Sequence, residues 1–143
     1  MATFMRNINL IAQSGSLFRE RKLAGLGLNG CQTKYILAVC CSEGVSQDAI
    51  ARRLFVNKSN VARQMALLEE AGYVVRRQSE SDKRTLLLYS TENGKDAFSK
   101  IREVNAEWRT LLTADFTEEE KRELFRLTEK LYANAERIVR EET

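Results

Sequence analysis

Between Val45 and Thr91 the sequence VSQDAIARRLFVNKSNVARQMALLEEAGYVVRRQSESDKRTLLLYST sets two short helical patterns on either side of a tight link, followed by two strand-like runs joined by a polar tip. That order leaves few folds open. Ser46 suits a helix start, where its hydroxyl accepts from free backbone N–H groups, and Asp48 suits the positive end of the helix dipole. Ile50, Ala51 and Leu54 then recur at helical spacing as a small buried face. Asn57 is a second N-cap, and Val61, Met65 and Leu68 give the next helix an inward stripe at i, i+4 and i+7.

Gly72 is placed to end that second helix, because a left-handed residue there carries no Cβ penalty. Tyr73 to Arg77 and Thr85 to Ser90 are rich in β-branched, aromatic and apolar residues, whereas the QSESDK between them has no large apolar side chain. The expected fold is mainly α with a small β-hairpin wing: a winged helix-turn-helix with further helices at both ends of the chain.

Rotating by ~100° per residue from the inward stripe, the outer face of the second helix carries Ser59, Asn60, Arg63 and Leu67, with Lys58 and Gln64 on its flanks. A helix lodged in the DNA major groove needs this division, since base edges are read by donors and acceptors while the reverse face anchors to a body. Arg63 suits guanine, Asn60 or Gln64 suits adenine, and Lys58, Ser59 and Ser46 complete the set at the phosphates. A solvated helix face would carry similar residues, so the hairpin decides. Arg76, Arg77, Lys83 and Arg84 cluster around it, placed to follow a phosphate backbone or to set an arginine in the narrow minor groove. Asp82 either pairs with Arg84 and aims it, or simply forms the turn.

The charge distribution agrees. The net charge is only +3, yet Ser46 to Thr91 holds eight Lys/Arg against five Asp/Glu, while the remainder balances at fifteen against fifteen. The whole excess lies where phosphates would sit. Histidine is absent, which removes Ser/His and Cys/His nucleophile pairs, histidine metal sites and a base naturally poised near neutral pH. An enzyme is not expected, and neither a cofactor nor a metal. The 143 residues, 43% apolar and 30% charged, allow one domain with a sizeable core. The longest apolar run, Tyr35 to Cys41, is far short of a membrane span, and the N-terminus lacks a signal-type block, so a cytoplasmic protein with no membrane partner is expected.

The ends of the chain read as helices. Phe4, Ile8, Ile11, Gly15 and Phe18 describe an amphipathic helix from Thr3 to Leu23, whose stripe must be buried elsewhere. After the GLGLNG link, Asn29 looks like the N-cap of a helix through Glu43, with Gln32 completing a capping box. Thr91 caps a long helix with a seam of Ala97, Ile101, Val104, Trp108 and Leu111. Thr117 and Glu120 form a capping box for the last helix, whose stripe is Leu124, Leu127, Leu131 and Ile138. Such seams either fold onto one core or pair with a second copy, and spacing does not choose between these.

The run IARRLFVNKSNVARQMALLEEAGYVVRRQSESDKRTLLLYSTENGKDA resembles the DNA-binding core of the MarR family of transcriptional regulators. The likeness rests on the helix pair, on the "LE..G.V.R" junction at Leu68, Glu69, Gly72, Val74 and Arg76, on the D-x-R wing at Asp82 and Arg84, and on the T-E-x-G start at Thr91, Glu92 and Gly94. It extends back to Leu28 and Gln32. Phe55 stands where many such turns have Gly, and Asn29 and Ser90 replace a usual Thr and Leu.

The resemblance implies a homodimeric, pyramidal, mostly helical regulator. Residues 1–143 would form a single unit with 29–91 as winged-helix core and 1–24 and 92–143 as dimerisation helices. Two reading helices would then lie roughly 34 Å apart, one DNA turn, on a pseudo-palindromic site. It assigns Ser59, Asn60, Arg63 and Gln64 to the major groove and Arg84, supported by Asp82, to the minor groove. It implies a repressor, released by a small aromatic effector, for which Tyr35, Phe55 and Trp108 are either the candidate lining or, at helical spacing, plain core.

Cys31, Cys40 and Cys41 are an odd number in a chain read as cytosolic, so no disulfide framework is expected. Cys40 and Cys41 sit among Ile36, Leu37 and Val39 and read as small core residues. Cys31 would lie in a first helical turn, where the dipole favours a thiolate, and is the candidate for an alternative, thiol-based regulator. Relatives that sense oxidants do so through a cysteine near the N-terminus, and none stands there in this chain. A winged helix serving only as a protein-interaction module is the other alternative, for which an apolar outer face would be expected.

Overall fold

A computed structural model describes residues 2–142. The chain forms two compact units, one through Trp108 and one from Arg109 onward.

The first unit contains α1 (Ala2–Lys22), a short 3-10 turn (Ala24–Leu26), α2 (Thr33–Cys41), β1 (Val45–Ser46), α3 (Gln47–Leu54), α4 (Lys58–Glu70), β2 (Val74–Gln78), β3 (Leu86–Ser90) and most of α5 (Glu92–Leu112). Its core is built from Ile36 and Val39 of α2, Ile50 of α3, Val61, Met65 and Leu68 of α4, Leu88 of β3 and Ile101 of α5, each at most 1% exposed. Ile50, Val61, Met65, Leu68 and Ile101 are inward positions that helical spacing predicts. The principal stabilising term is burial of these side chains, each contributing about 1.5–3 kcal/mol.

The sheet has three strands in the order β1-β3-β2, all antiparallel. β1 was not expected. It is only Val45 and Ser46, too short to show a period of two, and it pairs with Leu88 and Leu87. Its second residue then turns directly into α3, where Ser46 Oγ accepts from Ala49 N at 3.0 Å.

α2 also differs from expectation. Asn29 and Gln32 do bond reciprocally: Asn29 Oδ1 accepts from Gln32 N at 3.0 Å, and Asn29 N donates to Gln32 Oε1 at 3.1 Å. The backbone between them forms turns, however, and regular helix starts only at Thr33. It stops at Cys41 because Gly44, at φ +81°, turns the chain into β1 and donates to Leu88 O.

α4 ends in a Schellman motif. Tyr73 N donates to Leu68 O at 2.9 Å and Gly72 N to Glu69 O at 3.0 Å, with Gly72 at φ +85°. Thr91 then clasps the start of α5 to this turn, donating to Gly72 O at 2.6 Å and accepting from Gly94 N at 3.0 Å. A Cβ on Gly94 would run into the Tyr73 carbonyl oxygen, which explains the glycine of the T-E-x-G sequence.

α1 buries little of its stripe within the chain. Gly15 is buried, and Phe18 stacks on Trp108 with ring centroids 5.1 Å apart. Phe4, Ile8 and Ile11 are exposed, as are Met5, Leu10 and Leu17. In the second unit, α6 (Glu118–Glu141) starts at the predicted Thr117–Glu120 capping box, with both reciprocal bonds present. Leu124, Leu127, Leu131 and Ile138 all lie open on it, and so do Phe125, Tyr132 and Val139.

Candidate nucleic-acid interface

The outer face of α4 is set by its start. Asn57 Oδ1 accepts from Asn60 N at 2.7 Å and from Ser59 Oγ at 2.9 Å, so Asn57 caps the helix and Ser59 braces the cap from the exposed side. Lys58 is well exposed and lies 3.5 Å from Asp48 of α3, a surface pair of small energetic weight that leaves the ammonium available to solvent. Arg63 is exposed, and its Nη2 donates to Asn60 Oδ1 at 2.6 Å.

Two residues of that face are backed by α2 and the turns before it. Asn60 Nδ2 donates to the Tyr35 hydroxyl at 3.2 Å, and Gln64 Oε1 accepts from Gln32 Nε2 at 3.4 Å. The amide of Asn60 is thus engaged at both ends. Burial pushes the Tyr35 phenol above its ordinary value. Ser46, half-buried, has its hydroxyl committed to capping α3.

The wing supplies the exposed cations. Arg84, with 96% of its side chain exposed, projects from the loop between β2 and β3, beside exposed Lys83. Asp82 forms the turn: Oδ1 accepts from Arg84 N at 3.0 Å and lies 3.7 Å from Arg84 Nε, while Oδ2 accepts from Thr85 Oγ1 at 3.2 Å. The carboxylate shapes the turn and stands beside the guanidinium. Arg77 lies over the ring of Tyr89, 5.0 Å from its centroid.

Arg76 is a correction. Strand alternation places it on the face of Val74 and, by register, opposite fully buried Leu88, so it points toward α4. There Glu69 accepts from Arg76 N at 2.8 Å, from Nη2 at 3.1 Å and from Nε at 3.3 Å. These bonds, the backbone N–H foremost, hold the Glu69 carboxyl below its ordinary value. We therefore remove Arg76 from the phosphate-facing set. The alternation from buried Val74 was the signal that would have shown it.

The three aromatic residues named for an effector lining have different surroundings. Tyr35 is buried with its hydroxyl on Asn60, Phe55 is exposed at the αL end of α3, and Trp108 packs on Phe18. Phe55 sits at φ 54°, the conformation for which such turns favour Gly.

All three cysteines are free. Cys31 is exposed, 3.8 Å from Ser16 Oγ, in the turns before α2, and its N–H is taken by Asn29 Oδ1. Cys40 packs half-buried against the core, and burial raises its thiol. Cys41, expected in the core, is exposed, because α2 turns that position outward. Among the described residues no group of His, Cys, Asp or Glu is placed to hold a metal ion, and no helix is long and apolar enough to cross a membrane.

A reading helix with a polar outer face, seated against a three-stranded wing with a cationic tip, defines a winged helix-turn-helix protein. Residues 26–85 match the sequence profile of the MarR family. A crystal structure of MarR is 30% identical, with a TM-score of 0.89 over 96% of this chain and 93% of that one. The chain belongs to the MarR family of transcriptional regulators. It is 28% identical over 129 residues to the HTH-type transcriptional regulator BilQ of Clostridium symbiosum, covering 90% of each. It also shares its fold with a MarR family regulator from Listeria monocytogenes solved in complex with a 26mer DNA, at a TM-score of 0.86 and 24% identity, over 92% of this chain and 88% of that one.

Proposed function

We propose that the protein is a cytoplasmic, sequence-specific DNA-binding repressor that acts as a homodimer on a pseudo-palindromic operator and carries out no catalysis. The observation that carries this reading is the pairing of an outward polar face on α4 with an almost fully exposed Arg84 on the wing. Arg63 and Gln64 address base edges in the major groove, Lys58, Ser59 and Lys83 meet phosphates, and Arg84 enters the minor groove. A protein of the same fold from Listeria monocytogenes was solved with a 26mer DNA, which supports the choice of duplex DNA as the partner.

Residues 29–91 would be the reading core. The helices of 1–24 and 92–143 would form the dimerisation region. Phe4, Ile8 and Ile11 on α1, and Leu124, Leu127, Leu131 and Ile138 on α6, are open in a single chain, and a second copy is the partner that covers them. Release by a small aromatic ligand, with Tyr35, Phe55 and Trp108 as its candidate lining, belongs to the same reading.

Titrating the purified protein against mixed duplex fragments over a range of salt tests the reading. A DNA reader loses affinity along a linear log–log slope of roughly −0.9 per phosphate contacted. A flat response, or no binding at low salt, overturns it.

A further inference from the structure

Tyr35 lies on α2 with 2% of its surface exposed, so it cannot itself touch a duplex. It nevertheless ends a chain of bonds that begins at the reading face: Arg63 Nη2 donates to Asn60 Oδ1 at 2.6 Å, and Asn60 Nδ2 donates to the Tyr35 hydroxyl at 3.2 Å. The amide in the middle has one workable orientation. A guanidinium donates and never accepts, so the amide oxygen must face Arg63 and the NH2 must face the phenol.

The same logic holds one turn further along. Gln32 Oε1 accepts from Asn29 N at 3.1 Å, which turns its NH2 toward Gln64 Oε1, 3.4 Å away. α2 and its N-terminal turn therefore reach two polar positions of the reading helix, Asn60 and Gln64. Only Asn60 passes the contact on to an exposed cation.

We propose that Tyr35 is a specificity-positioning residue which, through Asn60, sets the direction in which the Arg63 guanidinium leaves α4. The inference rests on the DNA reading proposed above. An arginine recognises guanine through a planar fork, and its several rotatable bonds must be ordered before the fork can dock. Holding the guanidinium by one of its N–H groups removes part of that ordering from the binding step. The phenol supplies a fixed acceptor, because Tyr35 is locked in the core beside Ile36 and Val39.

The test starts from a duplex selected out of a random-sequence pool by the wild-type protein. Affinities for that duplex and for each of its single base-pair variants are then measured with wild type, Tyr35→Phe, Asn60→Ala, Arg63→Ala and the Tyr35→Phe/Asn60→Ala double variant. Arg63→Ala should erase the preference at one base pair of each half-site. Tyr35→Phe and Asn60→Ala should each weaken the preference at that same base pair by about threefold to tenfold. The double variant should be no worse than Asn60→Ala alone, and the salt slope of Tyr35→Phe should match wild type.

Full preference retained by Tyr35→Phe at the position that Arg63→Ala erases overturns the proposal while leaving the DNA reading intact. So does a loss spread evenly over all positions, as a general structural defect would give. Relaxation at a second base pair in Asn60→Ala would mean that Asn60 reads a base itself, which also overturns it. If Tyr35→Phe does not fold, Asn60→Ala decides alone, and its full preference at the Arg63 position is the negative result. Should Arg63→Ala alter no single position, the DNA reading fails instead.

Discussion

Glu69, in the last turn of α4, accepts both the backbone N–H and the guanidinium of Arg76 on β2, so one carboxylate fastens the reading helix to the wing. The bonds bracket the Schellman turn at Gly72 and fix the angle at which the chain leaves the helix. Glu69→Gln or Arg76→Ala should therefore lower unfolding stability by about 1 kcal/mol, the part-exposed pair being weakened by solvent. Denaturant midpoints at neutral pH measure this directly.

The same pair makes a pH-dependent prediction. Because Arg76 holds the Glu69 carboxyl below its ordinary value of 4.5, the folded state binds that proton less readily than the unfolded chain. The contribution is present in full above that ordinary value and disappears as pH falls through the lower, folded value. Wild type should thus exceed Glu69→Gln in stability at pH 7, and the gap should close in acid. A gap independent of pH would contradict the assignment.

Phe55 occupies the left-handed region at φ 54° and has 47% of its surface exposed, so its backbone is strained for modest burial. Phe55→Gly should be more stable than Phe55→Val by about 1–2 kcal/mol, since a β-branched residue tolerates this conformation least. Thermal unfolding of the two variants gives the comparison, and equal midpoints would remove strain as the explanation.

On DNA, Arg63→Ala should reduce discrimination at one base pair by about 1–3 kcal/mol. Lys58→Ala should weaken every sequence alike and shallow the salt slope by about one phosphate per protomer. Arg84→Ala should do likewise, except on sites with an unusually narrow minor groove, where its loss is larger. Fluorescence anisotropy on matched duplexes distinguishes the three.

The open stripe of α6 should govern assembly. Leu127→Glu with Leu131→Glu would place carboxylates on a face that carries no buried residue within the chain. The expected outcome is a monomer with helical content retained, seen by light scattering and circular dichroism, together with loss of high-affinity operator binding. A dimer surviving both changes would move the interface elsewhere.

Much of this fold was legible because local signals agreed. Ser46, Asn57, Thr91 and Thr117 cap the helices they were expected to cap, and the stripe of Val61, Met65 and Leu68 is the buried one. What was not legible depended on partners far along the chain. β1 exists only because β3 lies beside it. Arg76 resembled a surface cation until its strand face set it against Glu69, and nothing local announces that the Tyr35 hydroxyl meets Asn60 of α4.

Ser46 is at once the last rung of β1 and the cap of α3. The sheet and the helix pair thus share a residue, and on the DNA reading proposed above the hairpin and α4 would meet a duplex at one set spacing.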